Sequence, residues 1–323
     1  MSTAKTPTVI RVGTRGSALA IAQSTAIANR IGAAAGAPIE IVTITTHGDT
    51  SRESLSSLGG TGVFASALRE SLLADECDVL VHSLKDLPTA AHPGLVIGAT
   101  PKRADARDVL CARDGMTLEA LPAGSTVGTG SPRRVAQLRA LRPDLQVVDI
   151  RGNVDTRLAF VSDGELDAIV LSAAGLGRLG RLDAVATEFL ELSNWPTAPG
   201  QGALAVEVRE GRLDRALAAA LASINHVTTQ ATTAAERLVL AGLEAGCSAP
   251  VGASAVVDDG LLFLTATVYS ADGTAQLTSS HAATPESTAP ADLHEAARDV
   301  AQRVVAELLA AGAGKLARME GAV

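Results

Sequence analysis

Short apolar runs that stop at polar, glycine-bearing turns recur along the first two thirds of the chain. Residues 8–13 and the alternating stretch 38–45 predict strands, and a helical pattern runs from Ala18 to Ala33 between them. Phe64 begins a helix that reaches about Leu73. Val79-Leu80-Val81 is an apolar run that gives way to His82-Ser83-Leu84-Lys85-Asp86-Leu87-Pro88. That change reads as a buried strand handing over to a loop, which Pro88 ends by fixing its own backbone and biasing Leu87 away from helix. Leu95–Gly98 is a further short strand.

A second series starts after Pro101. A strand enters Val127-Gly128-Thr129-Gly130-Ser131-Pro132-Arg133-Arg134, and a helix follows to about Leu141. Gln146–Ile150 and Asp167–Leu171 predict two more strands. Ala198-Pro199-Gly200-Gln201-Gly202 is a tight turn feeding a strand at Ala203–Val208, placed for a return crossing to the first series. Two comparable α/β halves imply a cleft between two lobes, and ligands of open α/β sheets bind at the carboxyl ends of strands.

The last third differs. A helix from about Thr228 to Ala245 leads into Gly246-Cys247-Ser248-Ala249-Pro250. Strands at about 261–270 and 274–281 are joined by Ala271-Asp272-Gly273, a hairpin signal. In a final helix, about 291–311, Leu293, Ala297, Val300, Val304 and Leu308 share one face, as core packing requires. A small three-stranded sheet backed by helices fits this region.

Composition narrows the function. The 323 residues suggest two or three domains, and net charge is −8 with 2% aromatic residues. Neither a basic face nor stacking aromatics for nucleic acid is evident. No apolar run approaches a membrane span, and the N-terminus lacks the apolar core of a signal peptide. Cys77, Cys111 and Cys247 are an odd, widely spaced set without metal-ligand spacing, so no metal site is expected and a cytoplasmic location is the simplest.

Candidate chemistry then concentrates at strand ends. Arg11, Arg15, Arg133, Arg134, Arg151, Arg157 and Arg178 all fall at predicted strand-to-loop junctions beside Gly, Ser, Thr or Asn. Guanidinium groups bind carboxylate and phosphate bidentately. Such a set converging on one cleft repels itself unless a ligand with many negative charges neutralises it. With no Walker run and no Rossmann fingerprint, the set points to a polycarboxylate. Ser17 is a plausible N-cap that makes the first helix N-terminus an anion site. Residues 47–62 form a long polar loop that reads as a lid. Asp86 stands as the one acid in a positive cleft, able to accept hydrogen bonds from ligand N–H groups, stabilise a developing cation or move a proton. Lys85, one of four lysines (5, 85, 102 and 315), fits an ordinary surface pair with Asp86 or a Schiff-base nucleophile, but among the arginine loops it reads as a charged anion contact. Cys247 has the chemistry of a nucleophile toward activated carbon, whereas Cys77 and Cys111 read as inert core thiols.

These segments, in order, resemble the porphobilinogen deaminase family, also called hydroxymethylbilane synthases. The resemblance is carried by Arg11-x-x-Thr-Arg15-x-Ser17, His82-Ser83-Leu84-Lys85-Asp86-Leu87-Pro88, Val127-Gly128-Thr129-x-Ser131-x-Arg133-Arg134, Arg151-Gly152-Asn153-x-x-Thr156-Arg157, Pro199-x-Gln201-Gly202 and Gly246-Cys247-x-x-Pro250. It implies two periplasmic-binding-protein-like (type II) α/β domains flanking a cleft, plus a small α/β C-terminal domain with a three-stranded sheet. Their expected extents are 1–103 with 203–222, 104–202, and 223–323. It implies a dipyrromethane cofactor joined to Cys247 by a thioether, and head-to-tail condensation of four porphobilinogen molecules with loss of ammonia. Hydrolysis would then release hydroxymethylbilane.

By the same resemblance Asp86 is catalytic and touches the cofactor, with Ser83, Lys85, Thr129, Ser131, Arg133, Arg134, Arg151 and Gly152 around it. Arg11, Arg15, Ser17, Phe64, Arg157, Arg178 and Gln201 would bind substrate or the growing polypyrrole chain. The chain departs from the family pattern at Thr61 and Ser66, where lid lysines are common, and at Gly130 and Pro132. No nucleic acid, membrane or metal partner is expected, and a monomer is. The competing class is a non-catalytic two-lobed binding protein for an anionic small molecule, which needs no thiol at 247.

Overall fold

The computed structural model describes residues 9–45, 65–211, 213–245 and 249–317. The expected lid at 47–62, Phe64 and Cys247 lie outside the described residues.

Three sheets organise the chain. The first holds β1 (Ile10–Arg15), β2 (Ile39–Ile44), β3 (Val79–Ser83), β4 (Leu95–Ala99) and β10 (Leu204–Arg209), in the order β2-β1-β3-β10-β4. Here β1 is parallel to β2 and β3, and β10 runs antiparallel to β3 and β4. The second sheet repeats the plan. It holds β5 (Asp108–Ala112), β6 (Thr126–Gly128), β7 (Gln146–Val148), β8 (Ala168–Ser172) and β9 (Glu188–Leu190), in the order β7-β6-β8-β5-β9. Its antiparallel member is β5. The one reversed strand of each sheet therefore arrives directly from the other lobe, β5 after β4 and β10 after β9. This interleaving is the expected type II periplasmic-binding-protein-like arrangement. The third sheet is an antiparallel meander of β11 (Val251–Asp258), β12 (Leu261–Tyr269) and β13 (Gln276–Ala283).

Helices cover the sheets. In chain order the described helices are α1 (Ala18–Ala35), α2 (Ser66–Leu73), α3 (Pro132–Leu141), α4 (Val154–Ser162), α5 (Ala173–Arg178), α6 (Leu182–Val185), α7 (Arg215–Ile224), α8 (Val227–Gly242), α9 (Pro290–Ala310) and α10 (Ala313–Ala317). On the first sheet, Ile27, Ile31, Leu217 and Leu221 of α1 and α7 pack on Val79 and Val81. Leu68 and Leu72 of α2 pack on Leu80 and Leu95. A strand buried on both faces explains the unbroken apolar run at 79–81, and each such side chain contributes about 1.5–3 kcal/mol. The third domain buries one face of α8 and of α9 against its sheet, with Leu293, Ala297, Val300, Val304 and Leu308 all inside.

Several elements escaped the sequence pattern. Residues 151–157 were expected as a loop, yet α4 starts within them because Asn153 Oδ1 accepts the Thr156 N–H at 2.9 Å. Likewise Ser172 Oγ accepts the Gly175 N–H at 3.3 Å and starts α5, so Arg178 ends a short helix and does not stand at a strand-to-loop junction.

The lobes meet at two linkers that bond to each other. Ala104 N donates to Gly202 O at 3.2 Å. Gly202 has φ 84, and a Cβ there would lie 2.7 Å from Ala104 O, so only glycine lets the linkers touch. Arg103 donates to Gln201 O at 2.7 Å and forks onto Glu236 of α8 at 2.6 and 3.0 Å. Glu236 is fully buried and also accepts Gly200 N at 2.7 Å and Ala255 N at 2.9 Å. One carboxylate thus joins both linkers to the third domain. Glu236→Ala strands a partly buried guanidinium and two amides, and should lower unfolding stability by about 3–5 kcal/mol, read as a lower urea midpoint.

Candidate functional site

The carboxyl ends of β1, β3, β6 and β8 carry most of the predicted site. Arg15 and Ser83 end β1 and β3. A single 3-10 turn, Leu84–Asp86, follows Ser83 and exposes Asp86. The Lys85 ammonium lies within electrostatic reach of Asp86, Arg134, Asp108 and Arg133. Burial pulls its pKa down to about 8, against the opposing pull of Asp86. Across the cleft, Thr129 is buried and its Oγ1 accepts the Ser131 N–H at 3.2 Å. Ser131 in turn caps α3, as Ser17 caps α1 by accepting the Ala20 N–H at 3.3 Å.

The centre of the site is Asp108, which the sequence reading did not single out. It opens β5 and is fully buried. Arg133 Nη2 reaches its Oδ2 at 2.9 Å, and Arg134 donates through Nε at 3.1 Å and Nη2 at 2.6 Å. Trp195 Nε1 adds 2.8 Å and Gln201 Nε2 adds 2.7 Å. Burial alone would push this carboxyl up; the charges of Arg134 and Arg133 outweigh it and hold the group well below the usual carboxylate range. Gln201 Oε1 accepts from Lys85 Nζ at 3.1 Å, so a continuous polar chain runs from the Asp86 turn through Gln201 to both α3 arginines. An acid at the head of the apolar run 109–111 was the available signal, since a buried carboxylate must be paired.

The remaining arginines divide. Arg157 is drawn down to about pKa 10, by burial first and then by the charges of Arg134 and Arg151. Arg151 Nε is buried with no hydrogen-bond partner among the described residues, and the Asp149 carboxylate lies 3.9 Å from it. Gly152 has φ 109 and its carbonyl accepts from Arg157 Nε at 2.9 Å. Arg178 bridges the lobes, donating to Gln23 Oε1 at 2.8 Å and Gly202 O at 2.6 Å, while Ser83 Oγ donates to the same Gln23 oxygen at 3.3 Å. Burial lowers Arg178 to about 10. Arg11 is a correction. It sits four residues before Arg15 in β1, about 13 Å away, at the opposite end of the strand. There it is held bidentately by Asp78 at 2.8 and 3.2 Å, facing away from the cleft. A motif position does not fix direction; here the acid that precedes β3 captures the side chain.

Cys77 and Cys111 are buried, and burial pushes their thiols up to about 11 and about 12, as expected of core residues.

Two family profiles match. One, described as porphobilinogen deaminase, dipyromethane cofactor binding domain, covers residues 10–216; the other, porphobilinogen deaminase, C-terminal domain, covers 230–310. The chain belongs to the porphobilinogen deaminase family. A Leifsonia xyli porphobilinogen deaminase is 70% identical over 97% of this chain and 95% of its own length. A Streptomyces coelicolor porphobilinogen deaminase 1 is 50% identical over 96% and 98%. Among solved structures, a Coxiella burnetii periplasmic substrate-binding protein of an ABC transporter aligns with TM-score 0.43 at 14% identity, covering 71% of this chain and 96% of its own. Family membership makes this chain an enzyme of the transferase class with porphobilinogen as substrate and dipyrromethane as cofactor. It decides against the non-catalytic binding protein.

The site's donors fit such a cofactor. Arg134, Arg151 and Arg157 crowd together, and Arg151 Nε and Arg133 Nε are buried without a hydrogen-bond partner among the described residues. A group bearing several carboxylates answers both conditions.

Asp108→Asn should cost about 3–5 kcal/mol of stability, because two buried guanidiniums lose their counter-charge. Trp195 is the single tryptophan, so its emission should shift in the same variant. Unchanged emission and stability would refute the hub.

Proposed function

We propose that this chain is a hydroxymethylbilane synthase that joins four porphobilinogen molecules head to tail, releases ammonia at each addition and frees the linear tetrapyrrole by hydrolysis. The observation that carries this reading is the exposed Asp86 beside Lys85, set at the edge of a cleft whose other wall is a crowd of arginines. When bound, dipyrromethane supplies the primer to which substrate units are added, and Cys247 is the residue that would hold it.

Each role follows from charge and geometry. The acetate and propionate groups of substrate and chain are anions, and Arg15, Arg151 and Arg157 would hold them together with the N-terminal amides of the helices capped by Ser17 and Ser131. Lys85 adds one more cation, held in place by Gln201. Ser83, Thr129 and Gly152 would offer a hydroxyl, a hydroxyl and a backbone approach. Arg133 and Arg134 act with Asp108: their buried pairing keeps the wall rigid while the neighbouring charges face the ligand. Arg178 would keep the lobes in register through Gln23 and Gly202.

Asp86 has the opposite sign. As ammonia leaves, positive charge develops on the substrate's aminomethyl carbon and spreads into the pyrrole. A carboxylate beside it lowers that charge's energy and can accept the pyrrole N–H. It would also shuttle a proton where the ligand positions one. Phe64 and the 47–62 segment remain proposed as the cover of the site. We further propose domain extents of 1–103 with 203–222, 104–202 and 223–323, a monomer, and a cytoplasmic location. Among the described residues no helix is long and apolar enough to cross a membrane.

Three measurements test this. Intact mass of the wild type should exceed the chain mass by a covalent dipyrromethane, and Cys247→Ser should lack the increment. Asp86→Asn should lose turnover by about a hundred- to ten-thousand-fold while still binding porphobilinogen; normal turnover would reject Asp86. Lys85 is cationic below about pH 8 and neutral above it, so kcat/KM should fall as pH rises through about 8. In Lys85→Arg that limb should move to higher pH, and an unmoved limb would assign it to another group.

A further inference from the structure

The turn that carries Lys85 and Asp86 is short, and little within it holds its shape. Its internal backbone bond is Leu87 N to Leu84 O at 3.2 Å, and Leu84 N anchors it to Ala203 O at 3.0 Å. Its two leucines, Leu84 and Leu87, are buried with Ala65, Ala203 and Ala205, and the third domain adds a further hold on the backbone. Arg237 of α8 donates through Nη1 to Leu84 O at 3.1 Å and Leu87 O at 2.8 Å, and through Nη2 to Pro88 O at 2.6 Å. Those three carbonyls bracket Lys85 and Asp86 on both sides. A planar guanidinium is suited to this task because its fork fixes direction as well as distance, whereas an ammonium is a point donor.

The same helix turn has a second grip. Glu236, adjacent to Arg237, holds Arg103 and Gly200 N in the two linkers. A cavity of about 560 Å³ lies beside Arg237, between the 87–92 segment and β4 on one side and α8 and α9 on the other, while the Leu84 and Leu87 side chains stay buried in their alanine cluster. Packing thus fixes the two leucine side chains, and the hydrogen bonds of Arg237 fix the backbone carbonyls of both leucines and of Pro88.

We propose that Arg237 is a positioning residue for catalysis: it straps the Leu84–Pro88 turn to the third domain and sets where the Asp86 carboxylate stands. The proposal rests on the reading of Asp86 as the catalytic carboxylate. Arg237 touches backbone carbonyls and not the reacting atoms, so its loss should act on turnover more than on substrate capture, which the arginines of the second lobe perform. A displacement near 1 Å at a reacting group costs up to about a hundredfold in rate.

The test uses the full-length holoenzyme, with cofactor loading checked by intact mass. Arg237→Met should lower kcat by about 10- to 100-fold with KM changed by less than about threefold, and hydrogen–deuterium exchange of the 84–90 segment should rise with or without cofactor. Arg237→Lys should recover part of the lost kcat, and millimolar guanidinium should raise the rate of Arg237→Ala. Arg298→Gln, which lines the same cavity from α9, should behave as wild type. Wild-type kcat in Arg237→Lys and Arg237→Met would overturn the strap. So would unchanged exchange at 84–90, or a loss no greater than the loss of loaded enzyme. If Arg237→Met does not fold, the lysine variant's kcat and exchange decide alone. Asp86→Asn run in parallel separates the two readings: active Asp86→Asn rejects the catalytic carboxylate, whereas inactive Asp86→Asn with an unaffected Arg237 series rejects only the strap.

Discussion

The site depends on one buried carboxylate. Asp108 sits where β5 enters the second lobe, and two guanidiniums, an indole and a carboxamide converge on it. Without it, Arg133 and Arg134 could not be buried side by side, because the desolvation of two neighbouring cations far exceeds what backbone carbonyls return. With it, α3 is anchored at its first turn, and that turn faces the cleft. The carboxylate's oxygens are taken by protein partners, and its charge allows two buried arginines to stand side by side in the wall of the proposed site.

The wall is then divided by what each arginine is bonded to. Arg133 and Arg134 are held largely by protein partners, and they act as fixed charge and as frame. Arg151 and Arg157 are closer to an unmet demand: their charges repel, burial adds to the penalty, and Arg151 keeps a buried N–H without an acceptor among the described residues. Strain of this kind is relieved only by anions, and by several at once. A polycarboxylate would relieve it, and each further carboxylated pyrrole would meet the same field. Asp86 is tolerable in such a place because Lys85 stands beside it and because the turn leaves it exposed to water.

Much of this was legible in the sequence, for definable reasons. Strands buried on both faces leave apolar runs, so β1, β3, β8 and β10 were readable, and the amphipathic stripe of α9 gave its packing face. The clustering of arginines at strand ends pointed to an anionic cleft because the parallel strands do end there. What was missed depends on long-range pairing. Asp108 is one residue in an unremarkable stretch until β5 is known to cross between lobes; α4 and α5 were hidden by caps, Asn153 and Ser172, that resemble loop residues. Arg11 was misread because strand-end placement was inferred from motif proximity, and four residues of extended chain put it at the other end of β1. Glu236 and Arg237 carried no local signal, since their partners lie in the linkers and in the Asp86 turn.

That last pair bears on how the domains cooperate. Adjacent helical positions point about 100° apart, so Glu236 and Arg237 can serve different neighbours without competing. Glu236 fixes α8 to the linkers about which the lobes would rotate, and Arg237 fixes the same helix to the turn bearing Asp86. A carboxylate strapped to the third domain keeps its place relative to that domain when the second lobe moves. The first lobe's Asp86 turn and the third domain would then behave as one body, and room for a growing chain would have to come from the second lobe, whose own frame is set by Asp108. Glu236 at the linkers and Asp108 at the head of β5 are the buried pairings that any such movement would have to leave intact.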